Sequence, residues 1–337
     1  MKHFALLLIF ALNASCLAAQ AEPVAPLTIF EQLTATEACE LTLEADLTTL
    51  VGQKKTNNYL PGTLRTKDGK SYPLELRARG RYRRKVSQLA PIKVKFSKED
   101  LRNAGLDTLN EIKIALPTTF TDVGNELIVK EYLAYRMFEL VSDAHFRAKL
   151  VKLTLKDTNE KGSGTKKVFA IFIEDEEEVA HRIGGTPDGT FGVKIESLDQ
   201  QQAALVVMFQ YLIGNTDWDF SMHRNVELFM MPNGKRLALP YDFDFAGLVS
   251  APYASPSSES GVKTVRDRYL MSSDVDSEAL KTAIATLKSK EKEFYQLCRT
   301  KHLPRTASAD MIGFLQYYFK NMEGKDAAPT VMAEKRE

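Results

Sequence analysis

Residues 211–249 read YLIGNTDWDFSMHRNVELFMMPNGKRLALPYDFDFAGLV, and this stretch carries the chain's chemistry. It combines the end of an apolar helix, a loop rich in Asp and Asn, a β-hairpin and a second pair of aspartates. Asp217, Asp219, Asn225, Asp242 and Asp244 offer the hard oxygen donors that a divalent cation requires. They lie beside long apolar runs, where an unpaired carboxylate is costly. Pro232-Asn233-Gly234 marks the tight turn of the hairpin. If Asp242 and Asp244 lie on a strand, they share one face, with Phe243 and Phe245 packed behind. Trp218, Phe243 and Phe245 read as core residues, and His223 as a hydrogen-bonding loop residue.

Working outward, residues 198–215 are apolar nearly all round from Ala203 to Ile213, which predicts a helix inside the protein. Upstream, residues 123–142 form a second helix with Leu127, Ile128, Ala134, Tyr135 and Phe138 in one stripe. Glu131 falls within that stripe and requires a cation from elsewhere in the chain. Before it come short strands: 41–47, a hairpin turning at Asp68-Gly69, 91–96 and 111–117. From Leu74 the hairpin's second strand alternates apolar residues with Glu75 and then Arg77, Arg79, Arg81 and Arg83, and these four cations form a row suited to a phosphate-facing wall or a solvated edge. In the 91–96 strand Ile92, Val94 and Phe96 point inward and Lys93 and Lys95 outward. Two further strands, 147–157 and 166–176, run into an acidic segment, Glu174 to Glu178, that reads as a solvated helix start. Helices at 275–300 and 308–322 and a polar tail follow.

The first residues, MKHFALLLIFALNASCLAAQA, have a lysine, an apolar core and an Ala-x-Ala site. That is the pattern of a secretory leader cleaved near Ala21, with delivery to the periplasm or exterior; lipid attachment through Cys16 is the lesser reading. No later stretch is apolar enough to span a membrane. The net charge of +1 implies no bulk attraction to nucleic acid. Roughly 315 residues follow the leader, enough for two lobes. The expected divisions are 1–21, leader; 22–175, β-rich with one helix; 176–322, helical and bearing the site; and 323–337, a flexible tail. Export leaves Cys39 and Cys298 as a possible disulfide. The four histidines beyond the leader show no HExxH spacing, Leu64 stands where a phosphate-binding GxxxxGKS loop needs glycine, and no GxSxG elbow is present.

The order loop Asp, Asn, hairpin, second Asp resembles the catalytic loop and metal-binding segment of protein kinases, without their His-Arg-Asp triplet or glycine-rich loop. A closer resemblance is to the CotH-like atypical spore-coat kinases and their secreted bacterial relatives. It rests on GNTDW (214–218), Asn225 at the start of a strand, PYDFDFAGLV (240–249), PIKVKF (91–96) and KEYLAYRMF (130–138), and covers about residues 60–275. The resemblance implies an α+β, two-lobed, diverged protein-kinase-like fold with a β-rich first lobe and a mainly helical second. It implies ATP and Mg²⁺ or Mn²⁺ as cofactors, and transfer to a protein or small hydroxyl acceptor. Asp217 would be the catalytic residue. Asn225 and Asp242 would bind metal, with Asp244 a further ligand or an orienting group. Lys93 or Lys95 would hold phosphate and pair with Glu131. A non-catalytic nucleotide- or metal-binding module and, third, a metal-dependent phosphoesterase are the competing readings.

Overall fold

The computed structural model describes residues 25–162, 164–271 and 274–322. Both the expected leader and the polar tail lie outside them. Seven strands alternate in the manner their sequences predict: β1 (Cys39–Ala45), β2 (Leu60–Thr66), β3 (Ser71–Ala78), β4 (Ile92–Phe96), β5 (Glu111–Ala115), β6 (Ala148–Asp157) and β7 (Thr165–Glu174). They close into a barrel in the order β1-β2-β3-β4-β5-β7-β6. All neighbours are antiparallel except β1 and β6, which close the ring through a parallel ladder from Cys39↔Val151 to Ala45↔Asp157.

One face of each strand fills the interior. Leu43, Leu64, Leu76, Ile92, Val94, Ile112, Ile114, Val151 and Phe172 belong to a single buried cluster, joined by Ile29, Phe30 and Leu33 of the short N-terminal helix Ile29–Leu33. Each such side chain withdrawn from water contributes about 1.5–3 kcal/mol. Gly62 is required by this packing: a Cβ there would lie 2.8 Å from Leu76 Cδ2 and 3.1 Å from the Glu44 carbonyl oxygen.

A second cluster lies against the outside of the barrel. It joins Leu150, Ile171 and Ile173 of β6 and β7 to the Asp122–Glu139 helix and to nearly every apolar residue that follows. The Gln200–Ile213 helix is central to it, with eleven buried positions out of fourteen. Beside it lies a three-stranded sheet, β8 (Thr186–Asp188), β9 (Val226–Met230) and β10 (Arg236–Pro240), in the order β10-β9-β8. The helices Ser277–Ser289, Glu291–Cys298 and Arg305–Asn321 complete the layer. No helix among the described residues is long and apolar enough to cross a membrane.

The architecture corrects the two-lobed, kinase-like α+β expectation. The strands form a closed seven-stranded mixed barrel instead, with ten α-helices in the described chain and a second sheet among the later ones. Side-chain alternation identifies the faces of a strand but not its partner. The pairing that closes this barrel joins strands far apart in sequence, and nothing local announces it.

Two smaller expectations also change. Cys39 and Cys298 are free thiols, Cys39 lying with its Sγ 3.2 Å from the Leu33 carbonyl and Cys298 in the helical layer. The acidic run is a helix start, N-capped by Asp175, but only Glu177 in it is exposed. Glu174, Asp175 and Glu178 are buried, and Arg147 and Arg182 reach Glu174 while Arg147 also meets Glu178 at 3.0 Å.

Candidate active site

The site begins where the Gln200–Ile213 helix ends. Gly214 takes φ 65°, the left-handed conformation that terminates a helix at little cost for glycine. Asn215 then fixes the loop three ways: its Nδ2 donates to Gln210 Oε1 at 3.0 Å, its Oδ1 accepts from the Asp217 N–H at 3.0 Å, and its carbonyl accepts from Trp218 Nε1 at 3.1 Å. Trp218 is buried against Phe220, as a core residue should be, and Asp217 is thereby turned outward with about a third of its side chain exposed.

Asn225 lies beside it. Its Nδ2 donates to Asp217 Oδ2 at 3.0 Å and to the Asp217 carbonyl at 2.6 Å. Asn225 has φ 52°, and its carbonyl accepts the Tyr241 N–H at 3.0 Å where β9 and β10 begin and end. The hairpin therefore delivers Asp242 to the same place. Asp242 also takes a left-handed φ, 57°, and its N–H donates to the Tyr135 hydroxyl at 2.8 Å. Such backbone conformations in non-glycine residues are held only where the surroundings enforce them, and they gather at functional sites. Burial raises the pKa of Asp217, against the charge of Arg224 at 3.8 Å, and the charge of Asp242 adds to the rise, so the two carboxylates repel across the site.

Asp244 behaves differently. Asp242 and Asp244 do not share a strand face: the chain enters a short 3-10 turn, Phe243–Phe245, which directs Asp244 inward. There Asp244 Oδ2 accepts from the Tyr253 hydroxyl at 3.0 Å and lies 3.3 Å from Arg83 Nε. Phe243 is fully buried against Tyr135 and Phe209, while Phe245 packs half-buried with Tyr82 and Tyr253.

Arg83 is the residue around which the acids are arranged. It is 6 % exposed, grips Glu131 through both terminal nitrogens at 3.0 and 3.1 Å, and reaches Asp242 and Asp244. Burial opposes its charge, but Asp244, Glu131 and Asp242 together raise its pKa well above the usual value. Burial likewise raises the pKa of Glu131 and, further, of Asp244, with Arg83 opposing in both cases. The cationic partner that Glu131 demanded does come from elsewhere. It is Arg83, not Lys93 or Lys95.

Those two lysines are engaged away from Glu131. Lys93 Nζ lies 2.5 Å from Glu111 and 2.9 Å from Asp175, and Lys95 is half-exposed with its nearest carboxylate, Glu111, at 3.9 Å. The cation in the next strand, Lys113, stands opposite Lys93 in the β4–β5 ladder and was missed by the sequence reading. It is buried, paired with Glu176, and lies over the rings of Phe146 and Tyr241, the residue preceding Asp242. Burial lowers its pKa against the pull of Glu176. Arg79, half-buried just beyond β3, makes no ion pair with a described residue. Its charge acts on Glu131, Lys113 and Tyr241.

The chain matches no known family model and no curated protein.

The donor set fits a single hard cation in part. No cluster of three or more His, Cys, Asp or Glu residues is arranged to hold a metal among the described residues. Two carboxylates and an amide do converge: Asp217, Asp242 and Asn225, each partly accessible. Mg²⁺ needs no more from protein, because it retains water and takes its remaining oxygens from phosphate. Asp244 does not fit as a ligand, since both its position and its hydrogen bonds turn it toward Arg83. Asp219 is a turn former: its Oδ1 accepts from Ser221 Oγ and from the Met222 N–H. His223 Nε2 meets the Thr190 carbonyl at 2.8 Å, as expected of a loop residue.

Proposed function

We propose that this protein is a Mg²⁺-dependent phosphotransferase that moves a phosphoryl group from a nucleotide to a hydroxyl acceptor. The observation that carries the reading is an imbalance of charge. Asp217, Asp242, Asp244 and Glu131 meet at one place, and among the described residues two cations pair with them: buried Arg83, and half-exposed Arg224 at 3.8 Å from Asp217. A carboxylate pair left in excess at an accessible surface, with an amide oxygen beside it, is the setting in which a hard divalent cation binds. When bound, Mg²⁺ neutralises phosphate oxygens and orients them for in-line displacement.

This chain's residues would do the rest. Asn225 and Asp242 hold the cation. Asp217, whose burial favours a bound proton, accepts the proton of the acceptor hydroxyl as that oxygen bonds to phosphorus and the bond to the departing nucleotide oxygen breaks. Arg79, just beyond β3 and without an ion pair among the described residues, meets the phosphates in the role that the resemblance assigned to Lys93 or Lys95. The likeness to CotH-like kinases supports this reading through the segment 214–249 alone.

A second reading is favoured by one feature. Arg83 already claims one oxygen of Asp242, which is how a module that binds nucleotide or metal without turnover would hold its acids. Incubating the purified chain with labelled ATP and Mg²⁺ in the presence of protein and small-hydroxyl acceptors separates the two. Label transfer that disappears in Asp217→Ala supports the enzyme. Thermal stabilisation by ATP and Mg²⁺ without transfer supports the binding module, and equal labelling by Asp217→Ala overturns the role of Asp217.

A further inference from the structure

A cavity lies in the helical layer, away from the acidic site. Its volume is about 640 Å³, and Tyr211, Arg268, Asp310, Phe314, Tyr317 and Tyr318 contribute to its wall. That is a small-molecule size. Two groups in it lack the partners their chemistry demands.

The first is Arg268. Its Nε donates to the Leu212 carbonyl at 3.1 Å and Nη2 to the Phe314 carbonyl at 2.7 Å, which fixes the guanidinium plane. The plane rests on Phe314, 3.8 Å from the ring centroid, with Tyr318 and Tyr317 at 5.7 and 5.9 Å. No carboxylate among the described residues pairs with it. The two acids on the wall are already committed: Asp310 takes both terminal nitrogens of Arg266 at 3.0 Å, and Asp267 accepts from the Thr264 N–H and hydroxyl. A desolvated guanidinium with aromatic faces around it and no counter-ion is costly to maintain, and its pKa falls to about 10 under burial.

The second is Tyr318. It is 3 % exposed, and its hydroxyl has no hydrogen-bond partner among the described residues. A phenol so deeply buried ordinarily finds one.

We infer that this cavity binds a small organic monoanion, a carboxylate attached to a flat apolar body. The carboxylate would take the free donor Nη1 of Arg268 and the Tyr318 O–H. The apolar body would lie among Tyr211, Phe314 and Tyr317. A phosphate ester is less well served, since a dianion would meet one unpaired guanidinium and two committed carboxylates. The cavity wall is also the back of the acidic site. A Cβ on Gly214 would lie 2.9 Å from Phe314 Cζ, and one on Gly247 only 2.1 Å from the Val265 carbonyl oxygen.

The test is binding of sodium phenylacetate to the full-length protein, by calorimetry and by thermal shift, with 2-phenylethanol, 2-phenylethylamine and inorganic phosphate as comparisons. Saturable binding of phenylacetate, with none of the three comparisons matching it, is expected. Tyr318→Phe removes only an oxygen that has no protein partner, so the unliganded melting temperature should hold or rise while phenylacetate affinity falls roughly tenfold. Arg268→Gln should abolish binding. Equal binding of 2-phenylethanol, preference for phosphate, unchanged affinity in Tyr318→Phe, or no binding by the wild-type chain would each overturn the proposal.

Discussion

Arg83 and Glu131 face each other through two parallel hydrogen bonds of 3.0 and 3.1 Å, one residue from the short Arg83–Val86 helix just after the barrel's third strand and the other from the long helix packed on the barrel's outside. The pair couples the barrel to the loop that bears Asp242 and Asp244, because the same guanidinium reaches both aspartates. Removing one partner of a buried ion pair strands the other's charge.

Replacing Arg83 with Met therefore leaves Glu131 and Asp244 buried without a cation. The expected loss is about 3–5 kcal/mol of unfolding free energy at pH 7, read by urea denaturation. Adding Glu131→Gln to that variant should recover part of the loss, since one stranded charge is then gone. A variant within 1 kcal/mol or so of wild type would mean that the guanidinium is not the organiser described here.

The acids divide into two groups that mutagenesis can separate. Asp242 and Asp217 remain partly exposed, whereas Asp244 is enclosed by Arg83 and Tyr253. Asp242→Asn should remove the rise in melting temperature produced by Mg²⁺ or Mn²⁺ with ATP, and Asn225→Ala should weaken it. Asp244→Asn should retain it, because a ligand that binds only the folded state stabilises in proportion to its remaining affinity. Loss of the metal response in Asp244→Asn alone would return that residue to the ligand set.

Part of this arrangement was legible in the sequence, and the missing part has a physical explanation. Asp217, Asn225 and Asp242, which lie together in the structure, stand out because oxygen donors gathered around a hairpin are conspicuous beside apolar runs. Lys113 could have been found by the same alternation that gave Lys93, since Ile112 and Ile114 flank it as Ile92 and Val94 flank Lys93. Arg83 could not. The alternating pattern from Leu74 placed it on an outward face, but β3 ends at Ala78, Gly80 turns the chain at φ 86°, and a short helix carries Arg83 into the interior. The barrel was likewise divisible into strands by eye, while its closure depends on a parallel ladder between segments that show no local sign of each other.

The buried acids of the Arg147 network give a pH dependence. Glu178 is pushed up to about 7 by burial first, with Glu174 and Glu31 adding to the effect and Thr28 and Arg147 opposing it. A carboxyl whose folded pKa exceeds its unfolded value binds more protons when folded, so its contribution is lost as pH rises between about 4.5 and 7. That contribution can reach about 3 kcal/mol. Glu178→Gln keeps the oxygen that accepts from Thr28 and removes the titration. The variant's stability should fall less than that of wild type between pH 5 and 7.5, as read by chemical denaturation across that range. Parallel curves for the two proteins would show that Glu178 ionises normally.

The thiols offer the last test, one that bears on the fold rather than the site. Cys298 is fully buried, and burial pushes its pKa up to about 12, while Cys39 is half-buried with its thiol donating to the Leu33 carbonyl. A thiol reagent that requires thiolate should leave Cys298 untouched in the native protein and modify it after unfolding in guanidinium. Dithiothreitol should not alter the melting temperature, because no cross-link restrains the unfolded chain. A fall of several degrees on reduction would instead mean that Cys39 and Cys298 are bridged, which would require the start of β1 and the Glu291–Cys298 helix to approach each other differently from the packing described here.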